Sequence, residues 1–272
     1  MIITKAIIPV AGYGARRLPI TKAIEKCMLP IGNRPLVDFV VEDCIKAGIT
    51  DIFFVVSSNN TQLEKFYSDN SQLNQYLIKN NKQNLLPLVT PPLAKFHYIL
   101  QPTDGKYGTA IPVSLVAPMV AQGESVVVLM GDDFIYNSDG SSEVARLLET
   151  VPDGGSALLG VNVPLDQVNR YGVLQLDKNN NFIKIVEKPS IETAPSTLIN
   201  VSKYIINYDL LKTIVNYSNQ EIEGEYYITE PINQYVISGG IVKAVTARGQ
   251  YLDGGSVEGW LYANNVVAGN NL

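Results

Sequence analysis

A chain of 272 residues, 46% hydrophobic and 17% charged, has enough apolar surface for a full core and suits one large α/β domain or two small ones. Its net charge of -5 and pI near 5.0 exclude a nucleic-acid binder that tracks phosphates with a basic stripe, so any anionic ligand must be held by local groups. The longest apolar runs, such as residues 125–130, fall far short of the roughly 20 residues a membrane helix requires. Neither nucleic acid nor membrane is therefore expected as a partner. The opening ten residues carry one lysine and lead into a glycine-rich loop instead of a small-residue cleavage site, so they read as a first strand and the protein as cytoplasmic.

In chain order, residues 5–10 predict a strand, 37–48 a helix and 52–57 a second strand, the rhythm of βαβ units and a mostly parallel sheet. In the helix Val37, Val40, Val41, Cys44 and Ile45 fall on one face and Asp38, Glu42 and Lys46 on the other, with Pro35 opening it and Gly48 closing it. Residues 59–92, rich in Asn and Gln, read as a surface excursion with a helix near 61–68 and no chemistry of their own. A strand at 96–100, a helix at 108–118 and a strongly β-like run ending in Met130-Gly131-Asp132-Asp133 follow. Beyond Gly155 the pattern shifts to shorter strands at 157–163, 173–176, 182–186 and 198–206, with a turn at Asp177-Lys178-Asn179-Asn180, an antiparallel part. Helices at 209–217 and 229–238, a strand to Ala247 and a helix at 256–268 complete the chain. The expected fold class is α/β, a Rossmann-like, mostly parallel mixed sheet flanked by helices with a smaller antiparallel part, in a single domain spanning residues 1–272.

The first chemical signal is Pro9-Val10-Ala11-Gly12-Tyr13-Gly14-Ala15-Arg16-Arg17-Leu18-Pro19. Two glycines let backbone N–H groups approach an anion while adjacent arginines supply charge, which suits a triphosphate. A Rossmann dinucleotide turn lacks its third glycine because Arg17 stands there, and a Walker loop lacks its Gly-Lys-Ser/Thr. A second signal is Gly131-Asp132-Asp133 at a strand end, where two acids suggest a metal. Cys27 and Cys44 do not combine with His97, the sole histidine, into a zinc spacing, and His97 reads as a strand residue, not as part of a hydrolase triad.

The continuation Thr21-Lys22-Ala23-Ile24-Glu25-Lys26-Cys27-Met28-Leu29-Pro30, then Arg34-Pro35-Leu36, makes residues 7–48 resemble the sugar-nucleotide pyrophosphorylases, whose pattern is a glycine-rich loop, a proline and then Pro-Lys-x-Met-Leu-Pro. Within them the chain is most similar to bacterial UTP:glucose-1-phosphate uridylyltransferases, and matching segments recur to the last helix. The resemblance implies UTP and glucose 1-phosphate as partners, Mg²⁺ as cofactor, a homo-oligomer, and a division into a mainly nucleotide-binding part (1–155) and a mainly sugar-binding part (156–272). It further implies that Ala11 and Gly12 contact the base, that Gly14 and Arg16 contact the phosphates, and that Lys26 meets the phosphate under attack. Gln101 and Gly108 would read uracil, Gly172, Glu187 and Lys188 would take the sugar phosphate, and Asp132 and Asp253 would bind the metal. Arg16 and Lys26 independently suit charge stabilisation at the α-phosphorus.

Five positions depart from the pattern: Ala15 for Thr, Glu25 for Pro, Cys27 for Glu, Thr109 for a frequent His and Ser202 for a frequent Gly. Cys27 keeps open another nucleotide-sugar pyrophosphorylase, such as a thymidylyltransferase using dTTP, Ser202 bears on the choice of sugar, and positions 15, 25 and 27 keep open a non-catalytic paralogue that binds nucleotide sugar. A dehydrogenase is the third alternative, weakened by the absent glycine.

Overall fold

Burial is nearly continuous along the central strands and recurs at the helical period in α1, and on these patterns rests the computed structural model of the protein, which describes residues 3–58, 61–102, 105–151 and 154–269. The chain runs from β1 (Lys5–Pro9) through the glycine-rich loop into a short hairpin, β2 (Pro30–Ile31) and β3 (Arg34–Pro35), and then α1 (Leu36–Lys46). There follow β4 (Asp51–Val56), α2 (Gln62–Phe66), α3 (Ser71–Lys79), β5 (Lys95–Leu100), α4 (Ala110–Val116) and β6 (Val126–Leu129). Next come β7 (Asp133–Tyr136), α5 (Glu143–Thr150), β8 (Ser156–Asn162), β9 (Gly172–Leu176), β10 (Phe182–Glu187) and β11 (Leu198–Ile206). The chain closes with α6 (Tyr208–Ser218), α7 (Thr229–Ile237), β12 (Val242–Thr246), β13 (Gln250–Asp253) and α8 (Val257–Gly269).

One sheet of order β10-β9-β11-β6-β1-β4-β5, with β8 joined to β11 and β12 to β8, carries the core. β6, β1, β4 and β5 pair in parallel, whereas β11 pairs antiparallel with β6, β8 and β9. The antiparallel part expected beyond Gly155 thus continues the main sheet. Ala6, Ile8, Ile52, Phe54, Val127 and Leu129 point to the face covered by α1, α5 and α8. Ile7, Phe53, Val55, Val126 and Val128 point to the face covered by α4, α6 and α7. Such two-sided burial explains why these strands read as continuous apolar runs. Among the described residues no helix is long and apolar enough to cross a membrane.

The excursion between β4 and β5 contains α2 as expected, though its start at residues 59 and 60 lies outside the described residues. It also contains α3, capped by Asn70, whose side chain accepts from the Leu73 N–H at 3.0 Å. Tyr67, just past α2, is buried against Phe54 and Phe96, with ring centroids 5.5 Å and 4.4 Å away. Phe54 is itself fully buried and is the aromatic centre of this packing. Phe54→Ala is therefore expected to lower stability by about 3–5 kcal/mol in denaturant unfolding. A loss below about 1 kcal/mol would contradict the packing described.

Candidate active site

The order of connections positions the site. The chain moves from β1 to β4 and β5 on one side, then returns to β6 on the other side of β1, so a crevice opens beyond the carboxyl ends of β1 and β6. The glycine-rich loop leaves β1 there, and Gly131-Asp132 leaves β6, with the Gly131 N–H directed at Pro9 O. A cleft of 540 Å³ occupies this point and is lined by Ala11, Gly12, Arg16, Lys26, Gln101, Gly108 and Asp132.

Within the loop the two glycines act differently. At Gly12 nothing stands within 4 Å of where a Cβ would be, so its backbone is open to a ligand. Gly14 has φ +65°, and a Cβ on it would lie 3.0 Å from the Lys26 Cβ. Its carbonyl accepts from Arg17 N–H at 2.8 Å and from the Thr21 hydroxyl at 2.9 Å, which folds the loop back so that Lys26 packs beneath it.

Lys26 forms an ion pair with Asp132 Oδ2. Burial works to raise the Asp132 pKa, but Lys26 foremost, then Lys203 and Arg16, hold it below the usual carboxylate range. Asp253 ends β13, opposite Asp133 in the β7–β13 ribbon, and the next residue's N–H, that of Gly254, donates to Asp132 O at 3.0 Å. The Asp253 carboxylate accepts from Gly255 N–H at 2.7 Å through Oδ1. Each aspartate thus keeps one oxygen without a partner, and no group of three acids, histidines or cysteines forms, among the described residues. Two carboxylates with open oxygens fit a hard cation that completes its shell with phosphate oxygens and water.

Gly172, Glu187 and Lys188 do not line this cleft but gather at the start of β9 and the end of β10, where Glu187 pairs with Gly172 and Lys188 follows it. A Cβ at Gly172 would lie 3.1 Å from Glu187 Oε1. Burial raises the Glu187 pKa, with Thr229 and Lys188 pulling the other way. Lys188 donates its N–H to Tyr171 O at 3.0 Å. Tyr171 joins this group to the side of the cleft that holds Asp253: its ring is 6.4 Å from that of Tyr251, and its hydroxyl feels the charges of Asp253 and Arg16.

Gly108 borders the cleft, and the neighbouring segment leaves no room for a side chain on it. Its φ is +119°, and a Cβ would come within 2.5 Å of Tyr226 N. Tyr226 donates its N–H to Tyr107 O and accepts from Ala110 N–H, both at 2.9 Å, and Thr109 Oγ1 accepts from Ile228 N–H at 2.9 Å. The 105–110 and 224–228 segments are thereby joined edge to edge. A larger groove of 620 Å³ runs under the excursion, but its Arg34 is already engaged by Asp38 and Glu42, and none of the candidate site residues lines it.

A family model described as nucleotidyl transferase matches residues 5–269. The chain belongs to the nucleotidyl transferase family. It is 32% identical to the UTP–glucose-1-phosphate uridylyltransferase 1 of Staphylococcus saprophyticus, over 96% of this chain and 91% of that protein. Its fold superposes with a TM-score of 0.87 on the UTP-bound UGPase from Acinetobacter baumannii, at 25% identity over 97% of this chain and 93% of the other. A UDP-glucose pyrophosphorylase complexed with UDP-glucose gives a TM-score of 0.80 at 27% identity, over 98% and 99% of the two chains.

In this nucleotidyl transferase the adjacent arginines separate, which corrects the expectation that both serve the phosphates. Arg16 is exposed at the cleft, whereas Arg17 is 1% exposed, donates to Gly254 O at 2.8 Å and to Ser256 O, and lies 4.9 Å over the Trp260 ring. A buried ion pair also escaped the sequence reading: Lys203, 2% exposed, bonds Asp133 Oδ1, while Tyr251 donates its hydroxyl to Asp133 Oδ2 at 3.0 Å. The Asp133 carboxyl is pushed up to about 6 by burial, against the pull of Lys203. A lysine inside the apolar strand Leu198–Ile206 was the one available signal.

Lys203→Met leaves Asp133 buried without its cation, and the expected loss of stability is about 3–5 kcal/mol, part of it recovered by adding Asp133→Asn. Denaturant unfolding of the two variants measures both effects. A single variant as stable as the parent would show that the pair is not desolvated.

Proposed function

We propose that this chain transfers a uridylyl group from UTP to glucose 1-phosphate, giving UDP-glucose and pyrophosphate. The observation that carries the reading is the gathering of Arg16, Lys26 and Asp132 around one cleft beside the open backbone of Gly12. The near full-length similarity to a UTP–glucose-1-phosphate uridylyltransferase supports the choice of substrates.

In this reading the uridine base lies along Ala11, Gly12 and Gln101, near Gly108, with Gly14 shaping the loop around the phosphates. Glu187 accepts hydrogen bonds from the glucose hydroxyls, Gly172 lets the ring sit close, and Lys188 neutralises the sugar phosphate. A phosphate oxygen of glucose 1-phosphate forms a bond to the α-phosphorus of UTP. The bond from that phosphorus to the bridging oxygen breaks, and pyrophosphate leaves with the electron pair. Arg16 and Lys26 stabilise the charge that grows on the α-phosphoryl oxygens, the largest service a protein performs in such a displacement. Asp132 and Asp253 would hold Mg²⁺, which when bound supplies charge neutralisation to the triphosphate.

One observation favours a second base. Cys27, at the family's glutamate position, lines the cleft yet is 3% exposed, and burial pushes its thiol up to about 12, so it is neutral. The test is pyrophosphate release with Mg²⁺, glucose 1-phosphate and each of UTP, dTTP, ATP, CTP and GTP. UTP is expected to be preferred; preference for dTTP makes the enzyme a thymidylyltransferase, and silence with all five overturns the reading. Asp132→Ala is expected to lower kcat by more than about 100-fold while nucleotide affinity, measured by calorimetry, falls much less. Parent-like turnover in that variant would remove the metal role from Asp132.

A further inference from the structure

Glu25 precedes Lys26 and is held by α2 through both its backbone and its side chain. Its Oε1 accepts from the N–H groups of Thr61 at 2.7 Å and Gln62 at 2.8 Å, and its Oε2 from that of Leu63 at 3.4 Å. Gln62 reciprocates: its amide oxygen accepts the Glu25 N–H at 2.9 Å, and its amide nitrogen donates to Ala23 O at 3.0 Å. Thr61 caps nothing with its own side chain, so the unpaired N–H groups of this first turn are met by a carboxylate from another segment.

What the clamp holds is the base of Lys26. Glu25 O accepts from Met28 N–H at 2.8 Å and closes the single turn Lys26–Met28, whose middle residue, Cys27, is buried. A lone 3₁₀ turn of three residues has little stiffness of its own. Lys26 leaves this turn toward Asp132, and the direction of its stem is set by the backbone on which it stands.

We propose that Glu25 is a positioning residue: by clamping the backbone before Lys26 onto α2, it fixes the direction from which the ammonium meets the phosphate. This rests on the role given to Lys26 above. The excursion that the sequence presents as chemically idle is then the support of a catalytic side chain. Glu25 has φ -57° and ψ 133°, angles that proline also adopts. A proline ring would hold this backbone while removing both the N–H and the carboxylate, so ring and clamp are alternative means to one constraint.

That equivalence separates positioning from mere helix capping. Glu25→Ala is expected to lower kcat for pyrophosphate release by about 10- to 100-fold, with nucleotide affinity within about threefold of the parent. Glu25→Pro, which also removes the cap of α2, is expected to return kcat to within about threefold of the parent. A parent-like kcat in Glu25→Ala, or an equal loss in Glu25→Pro, overturns the inference. Should Glu25→Pro not fold, Gln62→Ala removes the other half of the clamp. It is expected to lower kcat at unchanged nucleotide affinity, and a parent-like kcat there also overturns the inference. If the parent itself releases no pyrophosphate, it is the proposed reaction that fails. The clamp is then read by amide hydrogen exchange over residues 26–29, expected to be faster in Glu25→Ala than in the parent; equal rates would dismiss it.

Discussion

The parallel pairing of β1 with β6 is the constraint on which the rest depends. Ala6 stands opposite Val127 and Ile7 opposite Val128, all fully buried and alternating between the two faces of the sheet. Both faces are packed, so a slip by one residue would carry each of these side chains into a layer shaped around another residue, and the two close-packed layers hold the register. With the register fixed, both strands end together, and Gly131 lies so close to Val10 and Ile8 that a Cβ could not be inserted. The loop bearing Arg16 and Lys26 and the loop bearing Asp132 therefore open from one edge. The two loops meet because the paired strands, packed on both faces, end side by side.

The same physics decides what could be read in advance. The strands of the central sheet were legible because burial on both faces makes them continuous apolar runs, α1 was legible because its apolar residues recur at the helical period, and β11 runs over Leu198–Ile206 as its composition predicts. α5 was missed because its buried face includes Glu143, which accepts from Arg248 and Gly249 N–H groups and pairs with Arg146, so a charge interrupts the apolar stripe. α3 hides in an Asn- and Gln-rich segment, and β7 and β13 are four residues each, too short for alternation to be decisive. In the site, the loop residues were legible since glycines and cations adjoin in sequence. The fates of Arg17 and Lys203 were not, since their partners lie far along the chain, from Gly254 to Ser256 and at Asp133.

Two of the departures from the family pattern acquire physical causes. Ser202 has φ +52° at the irregularity where β11 passes from pairing with β9 to pairing with β6. A left-handed residue is needed there, which favours glycine, and serine bears a cost of roughly 1–2 kcal/mol while its N–H finds Asn200 Oδ1 at 3.2 Å. The backbone accounts for a glycine at this place without reference to a ligand. Cys27 faces the apolar cluster that also contains Leu36 and Val37. A neutral thiol suits that neighbourhood as a small apolar side chain.

Asp132, Asp133 and Asp253 crowd one end of the β7–β13 ribbon, and their mutual repulsion must be countered before any ligand arrives. Lys203 answers Asp133 from the strand beneath, and Lys26 answers Asp132 from the loop. Arg17 acts at a distance: it grips the carbonyls of Gly254 and Ser256, just past Asp253, and stacks on Trp260, whose indole N–H donates to Pro30 O at 2.7 Å. The loop after β1, the loop after β13 and the start of α8 are thereby bound into one unit. Asp253 is held near Asp132 by backbone contacts, chiefly Gly254 N–H to Asp132 O, and among the described residues its carboxylate forms no direct ion pair. That arrangement keeps the acids close without neutralising all of them, which is the condition that the proposed Mg²⁺ role of Asp132 and Asp253 requires.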